Sequence, residues 1–486
     1  MITILLTLFF ILIAMFGIPI FIIIAGVGLL GFIVTNNYDV FSSIAMVQEF
    51  YKIAENPIFI TIPLFTFAGY LMAESNTSTR LVNFTKAIFG WIPGGFAIVT
   101  LIACSFFTVF TGASGVTIIA LGGLLFPALI KEKYPEKFSL GLITIGGSMG
   151  ITFPPSLPLI LYGVIASMSM QNVTTTAKVS IDELFMAGII PGIINIAVLA
   201  IYAMIIGSKA GVVQTKFSFK EALSATKGVA WELPIPFIIL IGIYAGIFTA
   251  GEAAIVVALY VFIVEVFIYK DLKLFEDVPR IMKESMLLVG SIFIIIGLAL
   301  GLTNFLVDQQ VPARLLAWTK TYIDSKITFL ILMNIFLLVV GCLLDVFSSI
   351  LVVLPLIIPI ALEYGINPVH LGIIFLVNLE IAYSTPPLGL NLFISSFRFK
   401  KSVISLYVAT LPFLAIIFLT LMLITYVPEI SLCMLNKDKT NAILITSLIF
   451  AIVFVVGLIT SRIAKKNNLK FSEIEKNEEI KELEGV

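Results

Sequence analysis

The chain has 486 residues, of which 60% are hydrophobic and 12% charged, and its mean hydropathy of +1.13 excludes a soluble globular protein. Its 29 basic and 29 acidic residues balance, so charge indicates no nucleic-acid partner. Three scattered cysteines and one histidine are too few for a disulfide framework or for most metal-dependent hydrolytic sites. We therefore expect an all-α polytopic membrane protein, embedded in a lipid bilayer, that is not an enzyme.

The N-terminal part of the chain predicts two membrane crossings followed by an amphipathic helix. Apolar runs at 2–34 and 57–72 are predicted to be the first two crossings, and the first is expected to be retained because no basic residue precedes it. In residues 80–91, Leu81, Phe84 and Ile88 share one helical face and lie opposite Arg80 and Lys86. This pattern predicts an arm helix that lies in the membrane interface.

Residues 96–130 consist of two apolar segments around a stretch of small and polar residues at 111–117. Each segment is shorter than the roughly 20 residues that cross a bilayer. We predict a re-entrant helical hairpin whose tip lies at mid-depth. The alternative is one long, bent crossing in which the small residues pack against a neighbouring helix.

Residues 138–168 form an apolar run that Pro154 and Pro155 interrupt. Proline has no N–H, so the carbonyls of Gly150 and Ile151 are expected to lose their helical partners. Unpaired carbonyls cost several kcal/mol in lipid, so such a break should be buried in protein or line a polar cavity. The pattern predicts a broken helix at a binding site, and the alternative is a proline kink repaired by neighbouring helices.

The same layout recurs in the second half, where Pro386 and Pro387 interrupt the apolar run 370–399. Residues 314–320 resemble 80–86 at an offset of 234, and the two proline pairs differ by 232. From the crossing that opens repeat 1 to its counterpart at 285–307 there are five traversals, one of them residues 233–250. This odd number predicts that the two halves are inverted repeats, which are typical of transporters. The predicted domains are scaffold helices at 1–73, repeat 1 at 74–207 (arm, hairpin 96–130, broken helix 138–168, helix 181–207), linking scaffold helices at 208–284, repeat 2 at 285–427 (helix 285–307, arm 314–326, hairpin 327–362, broken helix 370–399, helix 403–427), an extra transmembrane helix within 428–460 and a charged tail at 461–486.

Lysine and arginine are distributed unevenly between the two predicted sides of the membrane. If the loop after Met72 is cytoplasmic, most basic residues fall on that side. Cytoplasmic loops carry such an excess. We therefore expect both termini in the cytoplasm.

A hairpin tip that meets a broken helix would present carbonyls for a cation and N–H groups for an anion. Hydroxyl and carbonyl oxygens suit a hard ion such as Na⁺, although any one Ser or Thr can instead bond to its own i−4 carbonyl. Asp345 and Glu380 are candidates for a cation ligand or a proton carrier. Glu252 is expected to cap a helix and His370 to be interfacial. The predicted Na⁺ residues are Thr111, Gly112, Ser114, Thr117, Gly150, Ile151, Pro154, Asp345, Ser348, Ser349, Ala382, Tyr383, Thr385 and Pro386. The predicted substrate residues are Ser148, Thr152, Pro155, Ser156, Pro387, Gly389 and Asn391.

Five sequence motifs resemble the large membrane subunit of TRAP (tripartite ATP-independent periplasmic) transporters. They lie at 62–69, 112–115, 153–158, 187–192 and 385–393. The resemblance covers about residues 5–428 and implies an elevator-type transporter of the bacterial inner membrane, which takes up a C4-dicarboxylate, sialic acid or another carboxylate with Na⁺. It also implies two partners, a small four-helix membrane subunit and a soluble extracytoplasmic substrate-binding protein.

Two other functions remain open from the sequence. A one-component Na⁺/carboxylate symporter or ion antiporter of the same superfamily would need no binding protein, and uptake by this chain alone would favour it. A non-transporting scaffold subunit is the second alternative, but a scaffold has no need of two broken helices.

Overall fold

The computed structural model describes residues 18–92, 94–170, 179–212 and 217–435, together with residues 444, 446–449, 451–453, 455–457 and 459. Within these ranges every regular element is a helix and there is no strand. Eight of the described helices are long and apolar enough to cross a membrane. The prediction of an all-α polytopic membrane protein is confirmed.

The helices of the first half begin with a scaffold segment and continue through a hairpin and an interrupted helix. They are α1 (Ile20–Thr35), α2 (Ile44–Glu55), α3 (Thr61–Glu74), α4 (Thr77–Phe89), α5 (Gly95–Thr111), α6 (Ser114–Lys131), α7 (Glu136–Gly146), α8 (Leu157–Met170) and α9 (Ile181–Lys209).

The second half repeats this order after a linking region. Its helices are α10 (Phe219–Gly228), α11 (Pro234–Tyr244), α12 (Ala250–Ile263), α13 (Asp277–Asp308), α14 (Val311–Tyr322), α15 (Lys326–Leu343), α16 (Val346–Glu363), α17 (Pro368–Ala382), α18 (Leu390–Phe399), α19 (Val403–Tyr426) and α20 (Glu429–Leu432). One π-helical turn, Val264–Ile268, extends α12.

Both predicted helix interruptions are present. We call residues 147–156, between α7 and α8, break 1, and residues 383–389, between α17 and α18, break 2. The Pro154–Pro155 and Pro386–Pro387 peptide bonds are both cis. Each break follows a helical hairpin, formed by α5 and α6 in the first half (hairpin 1) and by α15 and α16 in the second (hairpin 2).

Three of the four hairpin arms are longer than the sequence predicts, and the fourth, α15, has the predicted 18 residues. α5 has 17 residues, and α6, α15 and α16 have 18 each. The last three are long enough to cross a membrane. The tip of hairpin 1 is nevertheless inside the protein, since Thr111, Gly112 and Ser114 are all buried. Re-entrance of the hairpins therefore stays a prediction that tip burial favours.

One predicted crossing is shorter than expected. For residues 233–250 the structure has α11, of only 11 residues, followed by a turn in which Gly246 has a φ of +68°. At 1.5 Å per residue such a helix spans about 16 Å, roughly half of the hydrocarbon core. It ends early because Thr249 and Glu252 form a capping box that starts α12, as predicted for Glu252. The inverted relation of the repeats rested partly on counting this segment as a crossing and stays a prediction.

Both ends of the chain lie partly outside the described residues. The predicted crossing 2–34 is described only from residue 18, and α1 begins directly after Pro19. The described residues of the predicted extra helix, between 444 and 459, are helical. The charged tail 461–486 lies outside the described residues.

The two arm helices, α4 and α14, are held to the ends of their hairpins in the same way. Lys86 of α4 forms an ion pair with Glu132, which follows α6, at 3.4 Å. Lys320 of α14 pairs with Glu363 at the end of α16. The two lysines are matched in the sequence repeat, so the pairing recurs at corresponding places in both halves.

Arg80 of α4 is the centre of a buried ionic cluster, although the sequence places it on the polar face of an interfacial helix. Its guanidinium lies 2.5 Å from Glu232, 3.1 Å from Glu265 and 2.6 Å from Asp271. The side chains of Glu232 and Glu265 are buried, and Arg80 also stacks over the ring of Tyr269. This cluster, which we call the arginine anchor, fixes the first arm to the linking scaffold helices.

Candidate functional site

Break 1 is enclosed by backbone-to-backbone packing that depends on glycine. A Cβ atom at Gly188 of α9 would lie 2.2 Å from the carbonyl oxygen of Thr152, and one at Gly150 would lie 2.3 Å from the carbonyl oxygen of Ser105. The ring of Phe153 rests against Gly192, one turn beyond Gly188. Only residues without side chains allow these approaches. Break 1 is therefore held between α5 and α9.

The backbone carbonyls of the breaks are not free, in contrast to the sequence prediction. Gly150 O accepts a hydrogen bond from Phe153 N at 3.2 Å, and Ile151 O accepts one from the Ser156 hydroxyl. In break 2, Ala382 O accepts from Thr385 N, and Tyr383 O from Asn391 N, both at 3.0 Å. The turns after each interruption supply local hydrogen-bond donors. The missing proline N–H groups alone do not predict these donors. A carbonyl has two lone pairs, so each of these oxygens can still contact a cation.

Glu380, in the last turn of α17, joins the two breaks. Its Oε1 accepts hydrogen bonds from the backbone N–H of Thr152, at 3.1 Å, and from the Thr152 hydroxyl. The Ser148 hydroxyl donates to the backbone carbonyl of Glu380 at 3.2 Å. On the other side of the carboxylate, Asn195 of α9 donates to Oε2 at 3.1 Å and accepts from Thr420 of α19 at 2.7 Å. Sequence-predicted residues of the first half thus meet the helix that leads into break 2.

Asn391 makes the reciprocal connection from the second half. Its side-chain amide donates to the carbonyl of Thr144 in α7, at 3.2 Å, and to the Ser384 hydroxyl, at 3.3 Å. Thr144 also bonds to Ser395 of α18 at 2.8 Å. Hydrogen bonds therefore connect the two interrupted helices on both sides of the breaks.

The hairpin tips lie against the breaks, through different contacts in the two halves. In hairpin 1, the Thr117 hydroxyl bonds to Thr108 at 2.7 Å, and Thr108 donates to the carbonyl of Gly147 at 2.9 Å. In hairpin 2, the backbone N–H of Val346 donates to the hydroxyl of Tyr383 at 2.5 Å. The Asp345 carboxylate accepts from the N–H groups of Phe347 and Ser348 and caps α16.

Two predicted site residues have buried oxygens without a hydrogen-bond partner among the described residues. They are Oγ of Ser349, one turn after the tip of hairpin 2, and Oδ1 of Asn391, just after break 2. Thr117 occupies the position in the first half that corresponds to Ser349, and its hydroxyl is satisfied by Thr108. Buried polar atoms are normally paired, so unpaired oxygens at a helix break fit an ion or a ligand group.

Several predicted residues have other roles. The Thr385 hydroxyl bonds to the carbonyl of Ile381, four residues earlier, which is the alternative noted for membrane hydroxyls. Pro386 and Pro387 are exposed, whereas Pro154, Pro155 and Ser156 are buried. Break 2 thus reaches the surface of the chain and break 1 does not. Ser114, Ser348 and Gly389 are also buried.

The sequence interpretation missed Asn195, Thr108, Thr144 and Thr420. Asn195 lies in the middle of a largely apolar helix, and an amide side chain at such a position indicates a hydrogen bond to another helix. The expectation that His370 is interfacial was wrong. The His370 ring is buried and lies 2.7 Å from the Ser431 hydroxyl and 3.3 Å from the carbonyl of Thr425, because the segment after α19 folds over the start of α17.

A separate cavity of about 510 Å³ lies away from the breaks. It is bordered by α2, α13, α14, α16 and the end of α8, and its polar lining includes Glu49, Ser169, Thr303, Asn304 and Gln310. The lining contains no basic residue.

Comparison with known proteins decides the family. The profile described as "Tripartite ATP-independent periplasmic transporter, DctM component" matches residues 6–430. The chain belongs to this TRAP transporter family. It is 35% identical over 381 residues to the C4-dicarboxylate TRAP transporter large permease protein of Rhodobacter capsulatus, which covers 78% of this chain and 86% of the relative. The ectoine TRAP transporter large permease protein of Halomonas elongata is 31% identical and covers 77% of this chain and 85% of that protein.

Two further comparisons bear on membership in the TRAP family and on its fold. The isethionate TRAP transporter permease protein of Oleidesulfovibrio alaskensis is 32% identical over 76% of this chain and 57% of its own length. The crystal structure of the YdaH transporter of Alcanivorax borkumensis aligns with a TM-score of 0.58 over 78% of this chain and 86% of that one. At 13% identity this likeness shows a shared fold. The TRAP relatives are transport permeases and not enzymes.

The motifs that resemble TRAP permeases have physical roles in this structure. Gly69 of the 62–69 motif faces the tip of hairpin 1, where a Cβ atom would lie 2.2 Å from the carbonyl oxygen of Phe110. Gly188 and Gly192 of the 187–192 motif receive break 1. The 112–115, 153–158 and 385–393 motifs are the tip and the breaks themselves. The motifs therefore describe one assembly in which two breaks and a hairpin tip are packed against α3 and α9.

Proposed function

We propose that this TRAP permease imports an organic acid by Na⁺ symport, with substrate and ions bound between the two breaks and the two hairpin tips. The observation that carries the proposal is the cross-connection of the breaks by Glu380 and Asn391, which makes one site from two halves. The unpaired oxygens of Ser349 and Asn391 supply ligand positions within that site.

The chemistry of the site favours an anion that binds together with cations. Hydroxyl, amide and carbonyl oxygens dominate its lining, and no cluster of three His, Cys, Asp or Glu side chains suited to a metal is found in the described part of the chain. Such oxygens suit Na⁺. A carboxylate would then be held by the N-termini of α8 and α18, by side-chain hydroxyls and amides, and by the bound Na⁺.

The substrate proposed is a C4-dicarboxylate or a similar small organic acid. The TRAP relatives are named for C4-dicarboxylate, isethionate and ectoine, and each of these compounds carries an acidic oxyanion group. Substrate would arrive from a soluble extracytoplasmic binding protein, and a small four-helix membrane subunit would brace the scaffold. The chain would lie in the bacterial inner membrane with both termini in the cytoplasm.

Transport would follow an elevator mechanism. The moving part would contain the hairpins and interrupted helices, α5–α8 and α15–α18, and the arms α4 and α14 would connect it to the scaffold. The arginine anchor would hold the first arm to the fixed side.

Uptake into proteoliposomes tests this function. The complete transporter should accumulate a labelled C4-dicarboxylate when a Na⁺ gradient is imposed, and omission of the binding protein should abolish accumulation. Uptake that follows a pH gradient alone would refute Na⁺ coupling. Equal uptake by this chain without its partners would favour the one-component symporter.

Removal of single ligand hydroxyls is expected to raise the Na⁺ requirement. Ser114→Ala and Ser348→Ala each take away a candidate oxygen at a hairpin tip, and the concentration of Na⁺ that gives half-maximal uptake should rise several-fold in each. Ser139→Ala is the matched control, because the Ser139 hydroxyl lies at the start of α7, away from the breaks, and donates to the carbonyl of Pro135. An unchanged Na⁺ dependence in both serine variants would remove them from the ligand set.

A further inference from the structure

The carboxylate of Glu380 is a buried acid with neutral hydrogen-bond partners. It is 0% exposed, and no described lysine, arginine or histidine forms an ion pair with it. Its oxygens are held by the Thr152 N–H and hydroxyl and by the Asn195 amide. A buried charge normally pairs with an opposite charge or a metal ion. Among the described residues, Glu380 is therefore held at the junction of the two breaks by hydrogen bonds alone.

The position of Glu380 in the chain connects this carboxylate to the candidate ligands of both halves. It lies two residues before Ala382 and three before Tyr383, whose carbonyls border break 2. Its partners Ser148 and Thr152 stand on either side of Gly150 and Ile151, whose carbonyls border break 1. A shift of the end of α17 is therefore transmitted to both flanks of break 1 through hydrogen bonds.

The far side of the carboxylate is fixed. Asn195 of α9 donates to Oε2 and is itself oriented by the Thr420 hydroxyl of α19. α9 also packs against the Thr152 carbonyl through Gly188, so the carboxylate and break 1 contact the same helix. Because Oε1 of Glu380 accepts hydrogen bonds from both the N–H and the hydroxyl of Thr152, a displacement of Glu380 with α17 displaces Thr152 as well.

We propose that Glu380 is a positioning residue that makes ion binding at break 1 and ion binding at break 2 cooperative. This inference rests on the proposed Na⁺ symport. An ion at the carbonyls of Ala382 and Tyr383 draws the end of α17 into place. Through its hydrogen bonds, Glu380 then positions Thr152 and Ser148 so that the carbonyls of break 1 can bind a second ion. Binding at the two sites is thereby coupled, and couplings between sites typically change affinity by about 5- to 150-fold.

The test is a Na⁺ titration of substrate uptake by the complete transporter carrying Glu380→Gln, with Glu49→Gln as control. Glu49 is also a buried carboxylate bonded to an amide, Asn304, but it lies on the scaffold away from the breaks. Wild type and Glu49→Gln should give sigmoidal curves. Glu380→Gln should give a curve with a Hill coefficient near 1 and a half-saturating Na⁺ concentration about tenfold higher, because glutamine cannot accept all the hydrogen bonds of the carboxylate.

A second readout separates positioning from a general loss of structure. The thermal midpoint of the purified transporter should rise cooperatively with Na⁺, at constant ionic strength, in wild type and in Glu49→Gln. In Glu380→Gln this dependence should become hyperbolic. If Glu380→Gln does not fold, Asn195→Ala removes one support of the carboxylate and should raise half-saturation about threefold.

The outcomes distinguish this inference from the proposed function. A cooperative wild type with an identical curve in Glu380→Gln, or in Asn195→Ala if that variant must be used, overturns the positioning role and leaves Na⁺ symport intact. A folded Glu380→Gln that loses uptake but keeps the wild-type Na⁺ dependence of its thermal midpoint overturns it as well. Wild-type uptake and stability that do not respond to Na⁺ refute the symport itself, and the inference with it.

Discussion

Arg80→Ala is expected to destabilise the transporter by about 3 kcal/mol, which is the lower end of the range for breaking a buried ion pair. The substitution leaves the carboxylates of Glu232 and Glu265, both buried, next to Asp271 without a positive charge. The lower end applies because the Arg80 side chain is 16% exposed, so water partly solvates the site. The measurement is the unfolding midpoint of the purified protein in detergent.

Two further variants sharpen this prediction. Arg80→Lys keeps the charge but loses the planar fork that reaches three carboxylates, so an intermediate loss is expected. Arg280→Ala is the control, since Arg280 also pairs with a glutamate, Glu74, but lies on the surface. Its removal should leave the midpoint nearly unchanged. A midpoint of Arg80→Ala equal to that of Arg280→Ala would contradict a structural role for the arginine anchor.

The stabilisation that Asp271 contributes to the arginine anchor should depend on acidic pH. Burial raises the pKa of Asp271, but hydrogen bonds from Arg80 and Asn76 lower it by more, and the result lies below the ordinary value of 3.8. A carboxyl group whose pKa is lowered on folding stabilises the protein above its unfolded pKa. This contribution is present at neutral pH and is lost as the pH falls below about 4.

Gly188→Ala is expected to reduce uptake more than tenfold. The added Cβ atom would lie 2.2 Å from the carbonyl oxygen of Thr152. The backbone fixes the positions of both atoms, so no side-chain rotation can relieve the contact and break 1 must move. Thr152 would then lose its bonds to Glu380, and misplacement by about 1 Å is enough to cost around two orders of magnitude in rate at a preorganised site. Overpacking should also lower stability by about 1–3 kcal/mol.

Gly290→Ala is the matched control for this variant. Gly290 lies within α13, and a Cβ atom there would meet nothing within 4 Å. Alanine has the higher helix propensity, so stability should be unchanged or slightly raised and uptake should be normal. Full uptake in Gly188→Ala at wild-type stability would show that break 1 tolerates displacement and is not the transport site.

The interruptions of the two helices could be predicted from the sequence because proline lacks an N–H wherever it stands. The arms followed from hydrophobic periodicity in the same way. Local repair of the breaks did not follow, since the bonds from Phe153 N to Gly150 and from Ser156 to Ile151 depend on the turn geometry after each interruption. The sequence shows which bonds are lost but not which are gained.

The partners of buried side chains were harder to predict than the elements. Both Asp345 and Glu380 stand next to an interruption, and composition cannot rank them. The structure makes Asp345 the cap of α16, whereas Glu380 reaches residues more than 180 positions earlier in the chain. Such contacts depend on how α9 and α17 pack, and the length of each helix does not determine that packing.

The position of the substrate can be determined in a structure of the complete transporter with Na⁺ and a C4-dicarboxylate, at a resolution that shows ions. Substrate density is expected between break 1 and break 2, near Ser148, Thr152 and Asn391, and ion density is expected in contact with the Ser349 hydroxyl or the Asn391 oxygen. Substrate density in the cavity beside Glu49 and Asn304, with both breaks empty, would show that the breaks are not the binding site.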